Sequence, residues 1–187
     1  VDVTPYIHAG DNLLEVHLNN VEESSRWYPG GGIYRPVKLV LTGDTYIEGW
    51  STFARTVNAT KKHATMAVST TLKGKPTSSV AGVEIALYDH RGSFVAANRF
   101  DISADGKYEA LLDIEKPKLW SPESPYLYTL VTSVYQDNQC IDRESTKVGI
   151  RTVSISKEKG FQLNGVSRKI KGVCLHHDLG ALGAAEN

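Results

Sequence analysis

Lys61-Lys-His-Ala-Thr-Met66-Ala-Val68-Ser-Thr70-Thr-Leu72-Lys73 is the stretch that decides the architecture of this chain. Met66, Val68, Thr70 and Leu72 fall at every second position, with small or polar residues between them. Side chains two apart share one face of a strand, so the pattern predicts a β-strand with one buried face. Outward from it, Thr45 to Asn58, Val83 to Tyr88, Arg99 to Ile102, Tyr108 to Ile114, Tyr126 to Tyr135 and Arg143 to Arg151 carry the same signature of short, β-rich runs. Turn chemistry separates them at Gly74-Lys-Pro76, Asp89-His-Arg-Gly92, Ala104-Asp-Gly106 and Asp137-Asn138.

Seven strands at this spacing predict an all-β fold, an immunoglobulin-like β-sandwich. The inference rests on strand count and turns, because the Cys-Trp-Cys hallmark of antibody domains is absent. Nowhere does the apolar spacing hold a helical period over three turns. Before the sandwich, Leu14, Val16 and Leu18 alternate with Glu15, His17 and Asn19, and Ile33 to Leu41 forms a second apolar run. The two are expected to pair antiparallel across a loop, Asn19 to Gly32, whose glycines and proline exclude regular structure. After the sandwich, Asp178 to Ala185 is small and glycine-containing, which argues for a loop or a frayed turn. The expected organisation is a two-strand segment over 1–43, a complete sandwich over 44–151 and a tail over 152–187.

Composition narrows the class of partner. A chain of 187 residues with 41% apolar residues can bury a real core. Its 21 basic and 21 acidic residues cancel, leaving no overall electrostatic footprint for nucleic acid or an anionic membrane. No apolar run approaches the roughly 20 residues of a membrane span, and Val1-Asp-Val-Thr-Pro5 lacks the basic and apolar regions of a signal peptide. Cys140 and Cys174 show neither metal-finger nor CxxC spacing and are expected to be free thiols, as in intracellular or bacterial domains. Asn58-Ala59-Thr60 matches the glycosylation sequon, a short pattern of little weight.

Five segments in order carry a family resemblance: Ser25-Arg-Trp-Tyr-Pro-Gly-Gly-Gly-Ile-Tyr-Arg-Pro-Val37, Leu119-Trp-Ser-Pro-Glu-Ser-Pro-Tyr-Leu-Tyr-Thr-Leu130, Gly149-Ile-Arg151, Phe161-Gln-Leu-Asn-Gly165 and Lys171-Gly-Val-Cys-Leu-His-His-Asp178. Together they resemble the glycoside hydrolases of family 2, the β-galactosidase family. One departure is Val148, where the family usually has Phe. The resemblance implies C-terminal strands of a jelly-roll sugar-binding domain over 1–43, the central immunoglobulin-like sandwich over 44–151, and the start of a (β/α)8 catalytic barrel over 152–187. In that frame Phe161 to Gly165 is a small hairpin, and Ser167 to His176 is the first barrel strand. The chain is then expected to be part of a longer enzyme.

His176, His177 and Asp178 are the one cluster of ligand-type side chains in the sequence. On a strand, His176 and Asp178 would share a face and His177 the other, too few on either side for a metal. Barrel enzymes place their sites at the C-terminal ends of their strands. The resemblance implies that His176 binds sugar hydroxyls, with Asp178 as a nearby supporter. Arg26, beside Trp27 and Tyr28, offers a donor and an aromatic platform suited to sugars, and the family frame brings it nearest the pocket. The rival for each set is structural: strand-end polar residues in one case, and loop packing by Trp27 and Tyr34 in the other. Trp120, between Leu119 and the prolines 122 and 125, is expected to plug one end of the sandwich.

Retaining glycoside hydrolysis needs two carboxyl groups about 5 to 5.5 Å apart. The resemblance supplies them as glutamates on later barrel strands, leaving no catalytic residue and no cofactor expected within this sequence. Glu22, Glu23, Glu109, Asp113 and Glu115 are expected to be solvated surface charge. The implied function of the whole is a retaining exo-acting hydrolase, a β-galactosidase first, with β-glucuronidase and β-mannosidase as alternatives and a carbohydrate as its partner. Sandwiches of this family commonly help to assemble dimers or tetramers, so a homo-oligomer is a further expectation. From a different class, a free-standing immunoglobulin-like binding or adhesion module remains open. The tail discriminates, because Val173-Cys-Leu175 would need cover on its outer face.

Overall fold

The computed structural model describes residues 1–19, 21, 32–33, 36–74, 80–103 and 105–173. The chain divides into two units, Val1–Leu39 with Gly172–Asn187, and Val40–Lys171.

The second unit is all strand and turn among its described residues. Its strands are β1 (Thr45–Ile47), β2 (Phe53–Ala59), β3 (His63–Gly74), β4 (Val80–Tyr88), β5 (Phe94–Phe100), β6 (Lys107–Glu115), β7 (Tyr128–Gln136), β8 (Gln139–Val148), β9 (Val153–Ser156), β10 (Gly160–Leu163) and β11 (Val166–Ser167). One sheet is built around β3, which pairs antiparallel with β1 and then β2 along one edge and with β6 along the other. The second sheet runs β5-β4-β7-β8, antiparallel throughout. A small third sheet has the order β11-β10-β9.

Alternation explains why the two large sheets close on each other. Ala64, Met66, Val68, Thr70 and Leu72 of β3 are all buried, as are Tyr108, Ala110, Leu112 and Ile114 of β6. Val83, Ile85 and Leu87 of β4 and Tyr128, Leu130, Thr132 and Val134 of β7 supply the opposing face. The apolar members form one continuous core with Ile47 and Ile150, so the expected sandwich is present. Asp142 and Glu144, on the edge strand β8, fasten it to the other sheet: Asp142 Oδ2 accepts from Ile47 N at 2.7 Å, and Glu144 Oε2 accepts from Thr52 Oγ1 at 2.9 Å.

Two of the predicted strands differ in detail. Thr45 to Asn58 is broken into β1 and β2 by a turn at Glu48–Ser51, where Trp50 adopts φ 66° and is fully exposed. Arg99 to Ile102 lies instead at Phe94–Phe100, an edge strand half-covered on both faces that carries no alternation to read. The β7–β8 hairpin turns on Asp137 and Asn138, both in the left-handed region with φ 49° and 64°.

The first unit shows a 3-10 turn at Thr4–Tyr6, with Asp2 Oδ1 accepting from Thr4 N. The antiparallel pair expected of Leu14–Asn19 and Ile33–Leu41 is not formed among the described residues, which carry no strand there. Leu13, Leu14, Val16, Leu18, Val37 and Leu39 are exposed. Alternation specifies a strand only where something buries one face, and no such cover stands over these side chains. The expected barrel strand from Ser167 is likewise absent over its described part: Ser167 ends β11, Arg168 N still donates to Phe161 O of β10, and residues 168–173 form no strand of their own. Cys174 and the rest of the tail lie outside the described residues, whereas Cys140 carries an exposed free thiol.

Candidate functional site

The structure brings together three of the segments singled out in the sequence. Trp120 packs flat on the Gly149 backbone: a Cβ built on Gly149 would lie 3.0 Å from both Cβ and Cγ of Trp120. Ile150 is fully buried, and its carbonyl accepts from Trp120 N at 2.8 Å. On the far side of Ile150, the Arg151 guanidinium sits 5.1 Å from the centre of the Trp120 ring, a cation–π contact. Asn164, at the β10–β11 turn, donates from Nδ2 to the Trp120 carbonyl at 3.0 Å and accepts at Oδ1 from Thr152 N at 3.0 Å. The Gly-Ile-Arg triplet, the Trp-Ser-Pro corner and the Asn-Gly turn are therefore one packed junction, and Trp120 is structural as expected.

Arg168, just past β11, completes the junction. Its guanidinium makes a two-pronged pair with Glu123 of the corner, Nη2 to Oε2 at 2.8 Å and Nη1 to Oε1. Arg168 holds the Glu123 carboxyl well below its ordinary value, at about 2. A carboxylate so placed stays ionised and cannot donate a proton near neutrality.

Several other described acids are exposed or already hold hydrogen-bond partners. Glu109, Asp113 and Glu115 are exposed on the outer face of β6, as expected, and Asp113 accepts from Thr65 Oγ1 at 2.8 Å with His63 Nε2 at 3.3 Å. Glu84 accepts from Arg99 Nε at 2.6 Å. The hydroxyl of Ser103 pulls Asp105, the amide of Ser93 pulls Asp89, and the hydroxyl and then the amide of Thr4 pull Asp2 below the ordinary carboxylate range. A general acid for glycoside cleavage needs the opposite shift. Among the described residues no group of three or more His, Cys, Asp or Glu side chains could hold a metal.

Arg26, His176 and Asp178, the residues expected to bind sugar, lie outside the described residues, as do Glu22, Glu23, Trp27, Tyr28, Tyr34 and His177. Sequence reasoning missed a cleft at the β4–β5 turn end of the second sheet. It is about 530 Å³, open to solvent, and lined by His90, Arg91, Lys118, Tyr126, Leu127 and Lys147. Its basic residues come from three separate stretches, so no local run of charge marked it.

Residues 45–151 match the family model described as glycosyl hydrolases family 2. The chain belongs to that family. It is 44% identical over its whole length to the β-galactosidase BoGH2A of Bacteroides ovatus, of which it spans 23%. It is 26% identical over 91% of its length to a β-glucuronidase of Formosa agariphila, spanning 20% of that enzyme. Among solved structures, a β-glycosidase from Bacteroides vulgatus superposes on 87% of the chain with a TM-score of 0.75 and 36% identity, the match covering 20% of that enzyme. The chain thus spans about a fifth of the length of the family 2 relatives it matches.

Proposed function

We propose that this chain is the non-catalytic central portion of a retaining exo-glycoside hydrolase, a β-galactosidase acting on terminal β-linked sugars. The observation that carries the reading is the full-length 44% identity to a β-galactosidase whose remaining length lies outside the match. In this reading residues 1–43 contribute strands to a jelly-roll domain, 44–151 form the sandwich, and 152–187 lead into a (β/α)8 barrel. The exposed Leu14, Val16, Leu18, Val37 and Leu39 are then one face of a sheet completed by further chain. His176 would hydrogen-bond sugar hydroxyls, supported by Asp178, and Arg26 would reach toward the same pocket. Two glutamates from later barrel strands would act as nucleophile and as acid and base, at the separation a double displacement requires.

The β-glucuronidase name carried by a second relative supports the alternative substrate, a terminal uronic acid. Hydrolysis of chromogenic β-galactoside, β-glucuronide and β-mannoside by the full-length protein, with the 187-residue chain alongside, tests both. The expected result is cleavage of the galactoside by the full protein and none by the chain alone. Reproducible turnover by the chain alone would overturn its non-catalytic assignment, and cleavage of the glucuronide alone would replace the substrate. The Arg26, His176 and Asp178 assignments are tested by alanine substitution in the full enzyme, where a loss of kcat/KM with unchanged thermal stability is expected.

A further inference from the structure

We infer that the cleft beside Tyr126 is a binding site for the carboxylate or sulfate groups of an acidic polysaccharide. Arg91, Lys118 and Lys147 carry three positive charges into one depression. No acidic side chain lines it, and none of the ion pairs among the described residues involves these cations. Asp89 stands beside the cleft and offsets part of its charge, while Glu123 is engaged elsewhere. Asp89 Oδ1 accepts from Arg91 N and Ser93 N, both at 2.8 Å, and Glu123 is paired with Arg168. In a chain whose basic and acidic residues balance at 21 each, this is a segregation of charge that an anion would relieve.

Two of the cationic heads, those of Lys118 and Lys147, are also held in place. Lys118 Nζ lies 4.9 Å from the centre of the Tyr126 ring, and Lys147 Nζ donates to Thr129 Oγ1 at 2.8 Å. His90 Nδ1 is 2.8 Å from the Tyr126 hydroxyl, whose ring is braced edge-on by His90 and Tyr128. Lys118 N donates to the hydroxyl of Tyr128, which is buried. Fixed cations lose less entropy on meeting an oxyanion than free ones, which favours binding there over other lysine-bearing surface. Tyr126 and Leu127 add an apolar flank suited to the non-polar face of a sugar ring, and the open shape admits an extended chain. The choice of a glycan over other polyanions rests on membership of the family.

The test is affinity electrophoresis and titration calorimetry of the 187-residue chain against heparin, polygalacturonate, neutral dextran and duplex DNA. Work at about 50 mM salt keeps surface electrostatics visible. Retardation by heparin or polygalacturonate and not by dextran is expected; heparin alone would assign the oxyanion as sulfate, and both would show that a carboxylate suffices. Lys118→Gln with Lys147→Gln should weaken binding at least about tenfold, while Lys157→Gln with Lys159→Gln, the same charge loss on the exposed β9–β10 turn, should change it less than about twofold. Equal losses from the two pairs, equal retention by DNA, or no binding to either acidic glycan would overturn the inference. The assay uses no catalysis, so its failure leaves the hydrolase reading standing.

Discussion

Gly149→Ala tests whether the junction at Trp120 is as tight as its geometry says. The added methyl would stand 3.0 Å from Cβ and Cγ of Trp120 and 3.1 Å from Cδ1, closer than ordinary van der Waals contact. Relief requires Trp120 or the strand to move. Trp120 is tied at both ends of its peptide unit, by its N–H to Ile150 O and by its carbonyl to Asn164 Nδ2. The strand cannot retreat either, because Ile150 is completely buried in the core. Overpacking without an escape route costs about 1 to 3 kcal/mol, which for a unit of this size lowers Tm by roughly 4 to 12 °C. The assay is urea and thermal unfolding of the chain followed by Trp fluorescence and circular dichroism. A second measurement separates the contact from backbone propensity: in a Trp120→Gly background the same methyl meets neither the Cβ nor the ring carbons, and its cost should fall below about 0.5 kcal/mol. A Gly149→Ala protein as stable as the parent, or a cost unchanged by Trp120→Gly, would refute the reasoning.

Three further predictions follow from particular residues. Thr132 is buried in the core, and its hydroxyl has no hydrogen-bond partner among the described residues, so Thr132→Val should stabilise by about 1 kcal/mol in urea titration; a loss of stability would mean the hydroxyl is satisfied. Trp50 is fully exposed with φ 66°, so Trp50→Asn gives up no burial and relieves left-handed strain, and Tm should rise by a few degrees, a gain of about 0.5 to 1 kcal/mol. The Glu123 carboxyl lies at about 2 in the folded chain against 4.5 unperturbed, so its pairing with Arg168 contributes stability above about pH 4.5 that is lost as the pH falls toward 2. Glu123→Gln should therefore flatten the acid side of a Tm-against-pH curve within that window, modestly because the pair is solvent-exposed, and parallel curves for the two proteins would count against it.

Much of the sandwich was legible because its central strands are buried on one face. β3 and β6 show strict alternation in burial, and that is the pattern Met66 to Leu72 and Tyr108 to Ile114 displayed in the sequence. Edge and junction strands were harder for a physical reason. Phe94 to Phe100 is half-covered on both sides, so hydrophobicity does not alternate along it. The break at Trp50 depends on a backbone angle that a bulky side chain normally avoids, and residue type pointed the other way. The alternation at 14–18 and the apolar run at 33–41 require a partner that the described residues do not provide. The junction shows a different limit: Trp120 and Gly149-Ile-Arg151 stood out separately, but only a three-dimensional contact explains why glycine, a buried isoleucine and an arginine follow one another there.

That junction also constrains the chain that follows the sandwich. The chain leaves the core at Ile150, is turned by Asn164 against the Trp120 carbonyl, and is clamped again where Arg168 meets Glu123. Three contacts of different kinds, a packed ring, a bidentate ion pair and an amide bridge, fix the direction of residues 153–168 relative to the sandwich. Arg168→Lys keeps the charge but loses the two-pronged geometry, because an ammonium cannot span both carboxylate oxygens as a guanidinium does. If the clamp sets direction, Arg168→Lys should leave the core's unfolding midpoint nearly unchanged while amide hydrogen exchange in β10 and β11 accelerates by about tenfold. Uniform acceleration through β3 and β7 as well would show that the clamp holds the sandwich together rather than aiming the chain that follows it.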